Sequence, residues 1–362
     1  MGTNNCNFYN SKDQANFNLK DKYNTKGNST VVKGTKVELD NIDKYYISKM
    51  NQIIRVQSYY RAFIARKKYK KMISLNKKSS SNSSYIVWTP IEEITDYSNE
   101  KTRKSEKKLG KVDYPDINDK DLIIKGPMVS DSDTIYVGQW NKQNQRCGRG
   151  TQYWPDGSKY EGYWKEDMAN GKGRLIHADG DTYIGDWKND MANGEGEYIN
   201  SDSSKYIGGW KEDKQHGNGK EICADGAIYE GEYEFGKKHG KGKFLWKDGS
   251  KYNGQFVDNN IEGQGIYEWS DGRKYEGLWK ENKMHGSGLF TWPDGRKYKG
   301  EYYEDKKHGV GEFIWPDQSK YKGTWKDGKQ HGEGIYTTPD LAEKKGEWFE
   351  GKRIRWLDGD TS

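Results

Sequence analysis

Hydrophobic and polar positions alternate through the last two thirds of the chain, and the alternation restarts at a fixed interval. Tyrosines stand at positions 160, 183, 206, 229, 252, 275, 298 and 321, each 23 residues after the one before, and Tyr136 precedes the first by 24. The unit beginning at Tyr275 reads Y-E-G-L-W-K-E-N-K-M-H-G-S-G-L-F-T-W-P-D-G-R-K. Tyr275, Gly277 and Trp279 are two apart, so a strand places them on one face, and Gly286, Gly288, Phe290 and Trp292 repeat that arrangement in a second strand. Pairs such as Asp248-Gly249 and Asp271-Gly272 supply the positive φ that tight turns need. Each unit therefore predicts a β-hairpin. A lone hairpin cannot bury its own face, so nine of them predict an all-β repeat fold, an elongated single-layer antiparallel sheet on the order of 85 to 90 Å long. A half-unit at Lys344, Gly346 and Trp348, followed by the tail G-K-R-I-R-W, is expected to cap the C-terminal edge.

Composition changes the picture of the core. Leu, Ile, Val and Phe make up only 54 of 362 residues, a level that by itself points to disorder, yet aromatic residues reach 14% and the net charge is only +6. A folded body is expected, built on rings. Glycines in the strands leave room for tyrosine and tryptophan to lie across the backbone.

Glycine and charge also divide the chain. Only Gly2, Gly27, Gly34, Gly110 and Gly126 precede residue 131, and basic residues outnumber acidic ones there, whereas acidic residues prevail beyond it. The reading is a disordered segment over 1–50, a helix over 51–73, a linker over 74–133 and the repeat array over 134–362. Within the linker, 85–133 is expected to be an extended, charged connector whose patch Leu122-Ile123-Ile124 docks on the first hairpin.

Residues 51–72 contain no proline, glycine or acidic group. Ile53, Val56, Tyr60, Phe63 and Ile64 recur at spacings of three and four, and nine positive charges lie between Arg55 and Lys78. The pattern predicts a basic amphipathic helix of the kind that binds calmodulin-like proteins or an anionic membrane.

Two resemblances bear on function. Y-x-G-x-W, then H-G-x-G, then D-G at a period of 23 resembles the MORN repeat. Asn170, Asn193 and Glu262 stand in the usual histidine position, Glu221 and Cys223 replace strand aromatics, and Gln318 replaces a turn glycine. The resemblance implies a non-catalytic array that organises membrane–cytoskeleton junctions, ciliary structures or division rings; some members of the family carry such repeats beside lipid kinases or methyltransferases. Val56-Gln57, Arg61 and Arg66 are similar to an IQ motif, with Ala62 in the usual glycine position. That likeness implies that calmodulin or a related EF-hand light chain is bound, with Gln57 on a backbone group, Arg61 and Arg66 on acidic groups, and Val56, Tyr60 and Phe63 in apolar grooves.

Other chemistry finds little support. His216, His239, His285, His308 and His331 share one register, which puts neighbours about 9.5 Å apart, too far to share a metal; they read as turn residues. Cys6, Cys147 and Cys223 have no disulfide-framework or zinc spacing. No phosphate-cradling glycine loop, nucleophile elbow or H-E-x-x-H is present. No enzyme activity, cofactor or nucleic-acid partner is expected. The start M-G-T-N-N-C makes Gly2 and Cys6 candidates for acyl anchors. Lysines just before the tyrosines draw a basic stripe, but Glu161, Glu230 and Glu276 interrupt it, so the array is expected to grip a cytoskeletal or ciliary protein through exposed aromatics. The alternative is an organiser that binds phosphoinositides or another anionic membrane lipid, or a regulator of a phosphoinositide kinase. With no apolar run long enough to span a bilayer and no secretory signal, the chain is expected in the cytoplasm, at cytoskeleton, cilium or membrane.

Overall fold

The computed structural model describes residues 86–112, 114 and 120–357. The predicted segment over 1–50 and the helix over 51–73 lie outside the described residues.

Among the described residues, those from Trp88 onward form one compact unit, a single open antiparallel sheet of 22 strands in which each strand pairs with the next in sequence. The unit at Tyr275 shows how 23 residues build two of those strands. Lys274–Lys280 is the first strand, Glu281 and Asn282 turn the chain with φ of 49° and 67°, and Lys283–Thr291 returns. Two consecutive positive φ values match the right-handed twist of the flanking strands. Trp292 to Arg296 then form the connecting turn, closed by Gly295 N–H donating to the Trp292 carbonyl, and the next unit begins.

The second strand of each unit is not a plain alternation. Gly277 faces Gly288, but Trp279 faces Met284, so His285, Gly286 and Ser287 bulge out opposite Leu278. Gly286 adopts φ +61° there. The histidine thus sits in a β-bulge inside a strand rather than in a turn, and the bulge puts Met284 on the face of Trp279.

The core is a ladder of rings on one face. Tyr275 meets Trp279 edge to face at 5.1 Å and Tyr302 of the next unit at 5.2 Å. The same alternation runs from Tyr136 to Trp348. Each ladder tyrosine lies across two paired glycines, as a Cβ at Gly288 would come within 2.4 Å of the Tyr275 ring. Its hydroxyl donates to the carbonyl three residues on, from Tyr275 to Leu278 at 2.9 Å. Burial raises these hydroxyls well above the usual phenol range, Tyr321 to about 12, so they remain donors. Between units, Trp279 Nε1–H donates to the Gly265 carbonyl at 3.3 Å, and Asn282 Oδ1 accepts from Ile261 N–H at 2.7 Å.

The span 85–133 differs from the extended connector expected of it. Strand β1 (Trp88–Pro90), helix α1 (Glu100–Leu109) and strand β2 (Ile123–Ser130) all belong to the folded unit. β1 pairs with β2, and β2 pairs with β3 (Ile135–Trp140), the first repeat strand. Trp88 continues the aromatic ladder, 5.6 Å from Trp140 and 6.3 Å from Tyr136. At the other end Glu343–Phe349 and Lys352–Trp356 close the sheet, and Trp356 lies 6.1 Å from Trp348. The tail caps the edge as expected, with a strand whose charged residues discourage further pairing.

Candidate functional site

With one face filled by its own rings, the surface open to a partner is the opposite face, together with the turns along the sheet's margins. On that opposite face Glu276, Leu278 and Lys280 alternate with the ladder residues. Ile207, Leu278, Val310 and Ile335 project from it with more than a third of their surface exposed. The aromatics available to a partner are few, since the ladder tyrosines and tryptophans are buried, the missing aliphatic core obliging them to fill it. The aromatic groups that do emerge are Phe235, Tyr303 and Phe349, each beside a bulge histidine: His216, His285 and His331 at 5.1 to 5.2 Å.

The N-terminal units have this face partly covered. Helix α1 starts at Asn99, whose side chain accepts from the Lys101 and Thr102 N–H groups, and Asn99 Nδ2–H also donates to the Ala178 carbonyl. Ser105 Oγ–H donates to the Gly180 carbonyl, and Lys159 reaches Glu106 at 2.6 Å. Behind the helix, Arg174 donates to the Gly110 carbonyl and pairs with Glu161 at 2.6 Å. Burial would raise the Glu161 carboxyl, but Lys159 and Arg174 bring it below the usual carboxylate range. Beyond Tyr114 the face opens into a groove of about 330 Å³ lined by Lys172, Ile184, Glu195 and Ile207.

Charge on this face is mixed at first and basic later. Lys159 pairs with Glu161 at 2.8 Å and Lys274 with Glu276 at 3.4 Å, so the predicted lysine stripe is interrupted where the sequence places glutamates. In the units at Tyr298 and Tyr321, Lys299 and Lys322 take the glutamate position, with Glu312 between them in the strand register. Lys297, Lys299, Lys320 and Lys322 therefore share one end of the sheet.

Departures from the repeat carry their own compensation. Glu221, where other units have an aromatic, is 1% exposed and meets Lys238, 2% exposed, at 2.5 Å. Tyr233 donates its hydroxyl to the same carboxylate oxygen at 3.2 Å. This unit is bonded across the joint, not loosened. Gln318 adopts φ +70°, the left-handed conformation its glycine counterparts adopt without a Cβ. Among the described residues no cluster of histidine, cysteine and carboxylate could hold a metal, and no helix is long and apolar enough to cross a membrane. The calmodulin-binding candidates Val56, Gln57, Tyr60, Arg61, Phe63 and Arg66, and the anchor candidates Gly2 and Cys6, lie outside the described residues.

An open meander of similar hairpins, joined by a ladder of aromatic rings over paired glycines, defines a β-hairpin repeat array. The chain belongs to the MORN repeat family: that repeat matches residues 136–159, 160–182, 183–205, 206–228, 229–251, 252–272, 275–295, 298–320 and 321–341, more than half of the chain. Such repeats suggest a binding or scaffolding role. None of the curated proteins compared matches it in sequence. Among solved structures, it is similar to the TCP domain of Drosophila melanogaster SAS-4 in complex with a proline-rich motif of Ana2, at 13% identity over 49% of this chain and 90% of that one, TM-score 0.26. The TCP10 domain of Danio rerio CPAP matches at 11% identity over 66% and 99%, TM-score 0.22. A catalytically inactive virginiamycin B lyase from Staphylococcus aureus matches at 13% identity over 65% and 73%, TM-score 0.13.

Proposed function

We propose that this protein is a non-catalytic adaptor whose repeat array binds a cytoskeletal or ciliary protein and whose segment around Gln57 recruits calmodulin or a related EF-hand protein in the cytoplasm. The observation that supports the first half is the outer face of the sheet, where Ile207, Leu278, Val310 and Ile335 stand exposed among paired charges from one unit to the next. Apolar contacts of this kind, ringed by charge, suit a protein surface that follows the sheet. The second half rests on Val56-Gln57, Arg61 and Arg66 and on the run of positive charge around them. It is tested by calmodulin pull-down of the full chain, where the double change Gln57→Ala with Arg61→Ala abolishes recovery; unchanged recovery refutes the assignment.

A second reading, an organiser of anionic membrane, is favoured by Lys297, Lys299, Lys320 and Lys322 at the C-terminal end, and it would recruit Gly2 and Cys6 as acyl anchors. Co-sedimentation of the full chain with phosphatidylserine vesicles separates the two. The adaptor reading predicts that binding is unchanged when these four lysines are replaced by glutamine, whereas the membrane reading predicts that it weakens and that salt suppresses what remains.

A further inference from the structure

Within the nine full units, three cations sit on the ring-filled face of the sheet, at the place that Ala169, Ile261 and Met284 hold in other units. Arg146 has the Asp167 carboxylate at 3.2 Å, and Lys238 has Glu221 at 2.5 Å. Lys307 has rings instead. Its Nζ lies 4.4 Å from the centroid of Phe313, 4.8 Å from Trp325, 5.1 Å from Tyr298 and 5.3 Å from Trp292. Where Lys238 finds Glu221 seventeen residues earlier, Lys307 finds Phe290. The charged or titratable groups around it are the Arg296 guanidinium, the Tyr298 hydroxyl and Tyr302 opposite it in the ladder, and none supplies a negative charge at neutral pH.

Ring faces attract a cation, but they replace only part of the hydration an ammonium loses. The cage therefore favours the free amine. Desolvation first, and then Arg296, push Lys307 down to about 7. Lys307 as a whole keeps part of its surface open to solvent, and its reactivity depends on a small electrophile entering past the rings.

From this cage we infer that Lys307 is a nucleophilic amine and an acylation site that takes acyl groups from thioester donors. The Nζ lone pair attacks the thioester carbonyl carbon, forming the C–N bond, and the tetrahedral adduct collapses with cleavage of the C–S bond. The thiolate leaves and takes up the proton lost by nitrogen, so amine and thioester become amide and thiol with no change of oxidation state. The product is neutral. It fixes the uncharged state that the ring cage already favours, whereas acylation of Lys238 would leave the Glu221 carboxylate without its cation.

The full chain is incubated with S-acetyl-N-acetylcysteamine, and acetylation of each lysine is followed by peptide mass spectrometry. At pH 7.5 Lys307 is modified about tenfold faster than the exposed Lys299, and Lys238 stays unmodified. Between pH 7 and 9 the Lys307 rate levels off while the Lys299 rate keeps climbing. A Lys307 rate no higher than that of Lys299, or one that climbs in parallel with it, overturns the assignment. Phe290→Glu gives Lys307 the partner that Lys238 has, and it slows modification to the Lys238 level in a chain whose near-ultraviolet dichroism is retained. Undiminished modification in that folded variant also overturns the proposal, and the pH profile of the parent chain decides the matter should the variant fail to fold.

Discussion

Trp88 meets Trp140 edge to face at 5.6 Å, so the one tryptophan ahead of the repeats serves as the first rung of their ladder. Arg146 lies over the same indole at 5.6 Å, and β1 covers the outer edge of β2. In a sheet held by neighbour contacts, an end rung protects the strands next to it. Trp88→Ala should therefore cost about 2 kcal/mol, felt as faster amide exchange in β2 and β3 with the middle units unchanged. A chain cut at residue 131 loses β1, β2 and α1 together and should expose Trp140. Hydrogen exchange measured strand by strand checks both; uniform protection in Trp88→Ala would show that the rung carries nothing.

The Glu221–Lys238 pair offers a test of compensation. Removing one partner strands the other in the ring core, so Glu221→Phe alone should destabilise by about 3 kcal/mol. Phe244 and Ile261 hold the same two places one unit on. Glu221→Phe combined with Lys238→Ile should recover most of the loss, and denaturant melts of the two single variants and the double variant complete the cycle. Additive losses would mean that the pair is not coupled.

Lys307 makes stability depend on pH. Its folded value is lowered from 10.5 to about 7, so between those values the unfolded chain holds the extra proton. Stability then rises with pH through that window, by at most about 1.4 kcal/mol per pH unit, and below pH 7 this dependence fades. Met284 occupies the equivalent place two strands earlier. Lys307→Met should raise stability at pH 7 by about 1 to 3 kcal/mol and flatten the rise between pH 7 and 9. Melts of parent and variant at pH 6, 7, 8 and 9 read it directly; parallel curves would argue that the amine remains charged.

Gln318 carries a Cβ in a left-handed turn where Gly295 and Gly272 have none. Gln318→Gly should stabilise the joint between its unit and the next by about 1 kcal/mol. A lower melting midpoint would place the side chain's own contacts above the backbone strain.

The repeat was legible because its chemistry is periodic. Tyr, Gly and Trp at two-residue spacing specify both strand and face, and the structure puts them there. The bulge was not legible as such: H-G-x-G reads as simple alternation unless the positive φ of Gly286 is known. Helix α1 escaped for a different reason. Asn99, Thr102, Glu100, Lys107, Lys108 and Gly110 are its start and stop signals, and all are visible in the sequence. Its contacts are polar, however, through Ser105, Glu106 and Asn99, so no apolar stripe announces it. β2 was half visible in Leu122-Ile123-Ile124, and Leu122 does approach Gly148 of the first hairpin, yet Ile124 stays exposed. Glu221 and Lys238 could have been paired in advance, since two opposite charges replace two apolar residues at one joint.

The indole-to-carbonyl bond that Trp279 makes to Gly265 recurs at Trp164, Trp187, Trp210 and Trp325. Phe256 and Tyr302 stand at the same place and carry no indole, and only the Tyr233 joint has an ion pair in its stead. Under a mechanical load that peels strand from strand, the ribbon has stronger and weaker seams. Among the inner seams it should part first beside Phe256 and Tyr302, and the extension at rupture would report which seam gave way.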